Sequence, residues 1–77
     1  MKYVRTSHSG FFIWPENTSV THRDIGIAVG RKFIISAGFC SIDGETESVI
    51  CYGRSESLDI DSNKDDFLLL KLQLFNS

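Results

Sequence analysis

The chain has no apolar run long enough to cross a membrane or to act as a secretory signal. A soluble, cytoplasmic protein is the expectation, with its thiols kept reduced. Only two cysteines and two histidines are present, so a nucleophile and its base have few candidates. No glycine-rich phosphate loop, metal-ligand cluster or catalytic triad stands out, so neither a cofactor nor a metal is expected. Asn17-Thr18-Ser19 fits the glycosylation acceptor pattern, which matters only for a secreted chain.

What is present is the composition of a folded globule. The 77 residues are 42% hydrophobic, 12% aromatic and 23% charged, too apolar for a disordered chain. That length suits one small α+β domain over 1–77. Small domains often bury further apolar surface by pairing with themselves. The net charge of −2 hides an asymmetry. Residues 1–40 carry five basic and two acidic side chains, a net of +3, and residues 41–77 carry three and eight, a net of −5. A solvated acidic loop explains the split, although a partner can also be steered by it.

Tyr3 to Thr6 and Phe11 to Trp14 read as strands, separated by the turn residues Ser7-His8-Ser9-Gly10 and ended by Pro15. A helix is predicted over 22–29. Thr21 is its N-cap, Asp24 suits N3, Val20 and Ile25 have staple spacing, and Gly30 ends it. Ile25, Ala28 and Val29 are expected to face the sheet. Two β-prone runs, Phe33–Cys40 and Ser48–Tyr52, flank Asp43-Gly44, a pair suited to a two-residue hairpin turn. In that register Phe33 opposes Arg54, and Phe33, Ile35, Ala37 and Phe39 share the bulkier, core-facing side with Ser48, Ile50 and Tyr52. Residues 53–61 read as a polar connector. The last segment alternates like a strand at Leu70–Leu74, but it lacks β-branched residues and Ser62/Asp65 resemble a cap, so a helix over 63–75 is predicted. The sum is ββαββα: a two-layer sandwich of a four-stranded, mainly antiparallel sheet with two helices packed on one face.

Candidate sites follow from this frame. Arg31, Lys32 and Arg54 gather at one end of the sheet, with Ser55 and Ser57 as extra donors, and suggest a site for phosphate, a nucleotide or an acidic segment. The sheet face left open by the helices carries Ser36, Gly38, Cys40, Val49 and Cys51, and is the expected partner surface. Cys40 and Cys51 sit four residues apart along the ladder, roughly 13 Å, beyond disulfide reach. Asp59-x-Asp61-x-Asn63-x-Asp65 matches the first ligand positions of a calcium loop, but Lys64 replaces the required glycine and Leu70 the closing glutamate. Nucleic-acid binding is not expected of a net-negative chain without a basic stripe, and Phe11, Phe12 and Trp14 read as core rather than stacking residues. The acidic half permits a mimic of nucleic-acid phosphates without arguing for one. The leading expectation is a small, non-enzymatic module that binds a protein partner or itself. Anion binding at the basic corner is the alternative, and a minimal cysteine or histidine enzyme comes last.

Overall fold

The structure, a computed structural model, describes residues 1–75. Strands β1 (Lys2–Thr6) and β2 (Gly10–Trp14) precede helix α1 (His22–Val29). A single 3₁₀ turn leads into β3 (Ile34–Asp43) and β4 (Ser48–Tyr52). A two-residue ribbon, β5 (Arg54–Ser55) and β6 (Ile60–Asp61), then precedes helix α2 (Asp66–Phe75). The main sheet is antiparallel throughout, in the order β2-β1-β3-β4. The α+β class with four antiparallel strands and two helices is as expected. No helix among the described residues is long and apolar enough to cross a membrane.

Helix α1 starts and stops where its local signals place it. Thr21 Oγ1 accepts from the Asp24 amide, and the Asp24 carboxylate accepts from the Thr21 amide, a closed capping box. Gly30, at φ +91°, ends the helix. The buried face is His22 and Gly26, flanked by Ile25 and Val29, while Ala28 is exposed. Leu58 causes this rotation. It packs so close to Gly26 that an added Cβ would lie 2.8 Å from its Cδ2.

Both helices were expected on one side of the sheet; they lie on opposite sides. Tyr3 and Val4 are consecutive strand residues and so point to opposite faces, and both are fully buried. Tyr3, Phe11, Cys40, Val49 and Cys51 pack with Leu70 of α2. Val4 and Ala37 pack with Leu58 of the ribbon, bordered by Ile25 of α1 and Ile60. The segment read as a polar connector therefore folds back, and its Leu58 fills the second core.

The hairpin register also differs. Asp43 and Ser48 form the last pair, leaving a four-residue loop, and Cys40 stands opposite Cys51. Asp43 does not occupy the turn; its Oδ1 accepts from the Glu45 amide at 3.0 Å, and Glu47 takes the positive φ of 56°. The shift is four residues, so each strand keeps the same face groupings. The burial is inverted at β4: Val49 and Cys51 are buried, while Ile50 is 61% exposed and Tyr52 is exposed.

Helix α2 begins at Asp66, three residues later than expected. Its cap lies one residue beyond the Ser62/Asp65 pair. Asn63 Oδ1 accepts from the Asp65 amide, and the Asp66 carboxylate accepts from the Asn63 amide.

Candidate functional site

The five residues of the expected basic corner do not share one site. That corner needed Arg54 beside Phe33, and the observed register ends the β3–β4 ladder at Phe39–Tyr52. Arg54 instead pairs with Asp61 across the β5–β6 ribbon. Its guanidinium donates to Asp61 at 2.9 Å, Asp59 at 2.5 Å and Glu56 at 3.3 Å. These carboxylates, Asp59 foremost, hold its proton still more tightly. The same pairing takes two of the oxygens that a calcium loop would use. Ser55 is buried and its hydroxyl accepts from the Leu58 amide. Lys32 lies 5.1 Å over the Phe33 ring. Ser57 lines one hollow with Arg31, which there donates to the Leu58 carbonyl, and a separate one with Arg54.

The expected partner face is covered. Ser36, Gly38, Cys40, Val49 and Cys51 are all buried. Helix α2 closes this side, and Ser36 donates to Asp66 at 2.5 Å. Gly38 has a further role on this side, where a Cβ would lie 2.6 Å from the Tyr52 carbonyl oxygen and 3.0 Å from Ser62 Cβ. A glycine there lets the ribbon cross the sheet closely.

Two buried polar groups invite a chemical reading. His22 is 5% exposed and its Nε2 donates to the Gly38 carbonyl at 2.8 Å, between the edges of Trp14 and Phe39. Burial pushes its pKa below the usual histidine range, so the ring is a neutral core donor. Asp66 is fully buried and accepts from Tyr3 Oη at 2.7 Å, Ser36 Oγ at 2.5 Å and Arg5 Nη1 at 3.1 Å. No buried side-chain nitrogen or oxygen among the described residues is left without a partner, and this network ties α2 to β1 and β3. Its members are up to 63 residues apart in sequence, and no local pattern announces them.

The two cysteines sit closer than sequence spacing suggested. The Cys40 amide donates to the Met1 carbonyl at 2.7 Å, so Cys40 turns its main-chain groups away from β4. Cys40 and Cys51 are thus a non-hydrogen-bonded pair, a geometry with Cα atoms about 4.5 Å apart and inside disulfide range. Both are free thiols. Burial pushes both pKa values up, that of Cys51 to about 12. Burial thus keeps Cys51 in the protonated thiol form at neutral pH. Iodoacetamide is therefore expected to label the folded protein far more slowly than the urea-unfolded chain, as followed by mass spectrometry. Equal rates would show that Cys51 is open to solvent.

The surface that remains unexplained is the β4 edge and the helix beside it. β4 is an outer strand, Ser48-Val49-Ile50-Cys51-Tyr52, with no charge, proline or bulge to discourage pairing. Since Cys51 is in a non-hydrogen-bonded pair, it and Val49 turn N–H and C=O outward. Outside the sheet ladder, no backbone hydrogen bond among the described residues reaches either main chain. The opposite edge is treated differently. The Phe11 amide donates to Gln73 Oε1 at 3.1 Å and its carbonyl accepts from Gln73 Nε2 at 3.2 Å, so a side-chain amide occupies the place of a neighbouring strand.

A groove of about 360 Å³ runs along the open β4 edge, lined by Val49, Ile50, Cys51, Lys64 and Phe67. Helix α2 continues the apolar surface. Seven of its ten residues are leucine or phenylalanine, yet Leu70 alone of these is fully buried. Leu68 is 55% and Leu72 52% exposed. A helix apolar all round is normally enclosed, and contiguous exposed apolar surface of this kind marks contact sites. The signal was present in the sequence as the unbroken Phe67–Leu70 run, but it was absorbed there into the choice between helix and strand. No family model matches the chain, and no curated protein or solved structure is found that matches it.

Proposed function

We propose that this chain is a small, non-enzymatic interaction module that binds protein through the β4 edge and the adjoining apolar surface of α2. The observation carrying this reading is one edge strand left unpaired beside exposed leucines while the other edge is capped by Gln73. An added polypeptide would satisfy the free main-chain groups of Val49 and Cys51 and remove Leu68 and Leu72 from water. At about 25 cal/mol per Å² of apolar area, that burial is the main available driving force. A cysteine or histidine enzyme fits less well, because both thiols are buried in the protonated form and His22 is spent on a carbonyl. An anion site at Arg54 fits less well too, given its three carboxylate partners.

Site-specific photo-crosslinking tests the reading. A benzophenone side chain at Leu68 should give discrete adducts in expressing cells, and these should vanish when Leu72 is also replaced by glutamate. The same group at exposed Thr18 should give none. Adducts of equal yield at both positions, or none at Leu68, would remove the proposal.

A further inference from the structure

Resting on that reading, we infer that the occupant of the β4 edge is a second copy of this chain. The two β4 strands pair antiparallel about a two-fold axis at Ile50 and join the sheets into one of eight strands. The register follows from which main-chain groups are free. Val49 and Cys51 point outward, so a symmetric pairing must set Val49 of one copy opposite Cys51 of the other. Each such pair exchanges two hydrogen bonds, and the symmetry makes two pairs. All four outward N–H and four outward C=O groups of the two strands supply the four bonds expected of so short a ladder.

The side chains fit the same axis. Ile50 meets Ile50 of the second copy as a non-hydrogen-bonded pair, where side chains approach most closely. Each is 61% exposed in the single chain. Ser48 stands opposite Tyr52. On the other side of the sheet, Phe67 at the lip of the groove faces the seam, which brings the apolar surfaces of the two α2 helices toward each other.

The charges are complementary as well. One step beyond the ladder, Glu47 reaches Gly53 of the second copy. Gly53 accepts from the Ser62 amide, and Lys64 follows two residues later on the groove wall. Neither Glu47 nor Lys64 is in an ion pair among the described residues. The pairing places each glutamate near a lysine of the other copy, twice per dimer. A free peptide strand would satisfy the main chain but would leave α2 exposed; the chain's own surface presents a strand edge and an apolar helix side by side.

Sedimentation equilibrium over a concentration series tests this, read together with hydrogen exchange. A dimer is expected, with the amides of Val49 and Cys51 protected at high concentration and exchanging freely on dilution. Ile50→Lys sets two like charges face to face and should raise the dissociation constant about 100-fold. The position is exposed in the single chain, so circular dichroism and the melting temperature of the diluted protein should hardly change. Glu47→Lys and Lys64→Glu should each weaken the dimer up to about tenfold. The two combined in one chain should bring it back to within about threefold of the original. A protein that stays monomeric with both amides exchanging freely, or a dimer indifferent to Ile50→Lys and to the charge exchange, overturns self-pairing. Leu68 adducts with other proteins, in the absence of one at twice the chain's mass, would then leave the interaction reading standing while this inference falls.

Discussion

Asp66→Ala is expected to lower the unfolding free energy by about 3–5 kcal/mol, measured by urea denaturation. A domain of this length has only about 4–12 kcal/mol in total. The carboxylate accepts from Tyr3, Ser36 and Arg5, and its own side chain is fully buried. Arg5 keeps some contact with water, its side chain 27% exposed, and recovers part of its loss. Tyr3 and Ser36 do not, being 0% and 2% exposed. Each buried hydroxyl left without an acceptor costs about 1–3 kcal/mol. Tyr3→Phe removes the donor together with its need, so in the Asp66→Ala background it should cost much less than alone. A simple sum of the two single effects would show that the groups do not act as a unit.

The same network sets an alkaline limit. Burial, then the hydrogen bond to Asp66, pushes the Tyr3 phenol above the usual tyrosine range. A group whose folded pKa is raised binds its proton more tightly when folded. Its contribution is complete below the unfolded value near pH 10 and is lost as pH rises beyond it. Stability is therefore expected to decline above about pH 10, and Tyr3→Phe should flatten the decline.

Leu70→Ala is expected to cost about 3 kcal/mol, while Leu68→Ala and Leu72→Ala change monomer stability by no more than about 0.5 kcal/mol. The five leucines of α2 are chemically identical, so the contrast isolates position. Leu70 is 0% exposed and packs on Tyr3, Phe11 and the two cysteines. Its removal opens a cavity between sheet and helix that a ten-residue helix cannot collapse around without losing the Asp66 and Gln73 contacts at its two ends. Melting temperatures of the three variants at low protein concentration provide the measurement. Equal losses at all three would mean that α2 presents a different face to the sheet. The outer leucines should still matter for association, which separates their role from that of Leu70.

Local signals were legible in the sequence wherever their partners lie within a few residues. Thr21, Asp24 and Gly30 bound α1 because a cap and a stop are short-range hydrogen-bonding problems. The four main strands were legible from β-branched and aromatic content. Even the cap of α2 was found to within one residue. The hairpin was not, because Asp43-Gly44 suits a two-residue turn and an Asx-type four-residue loop equally well. The choice is made by what the strands must bury. The basic corner and the cysteine spacing both rested on that register and moved with it.

The amino-acid order by itself determined the class of the domain: strands, a capped helix and an apolar final segment too poor in β-branched residues to extend a sheet. Only the tertiary structure decided which side of each strand meets solvent, because that depends on where a second layer lands. With α2 on the Tyr3 face and α1 with Leu58 on the Val4 face, the expected open surface closed. The exposed apolar surface passed to Ile50, Leu68 and Leu72. A two-residue period tells apart the two faces of a strand, but it carries no information on which will be covered when both are apolar.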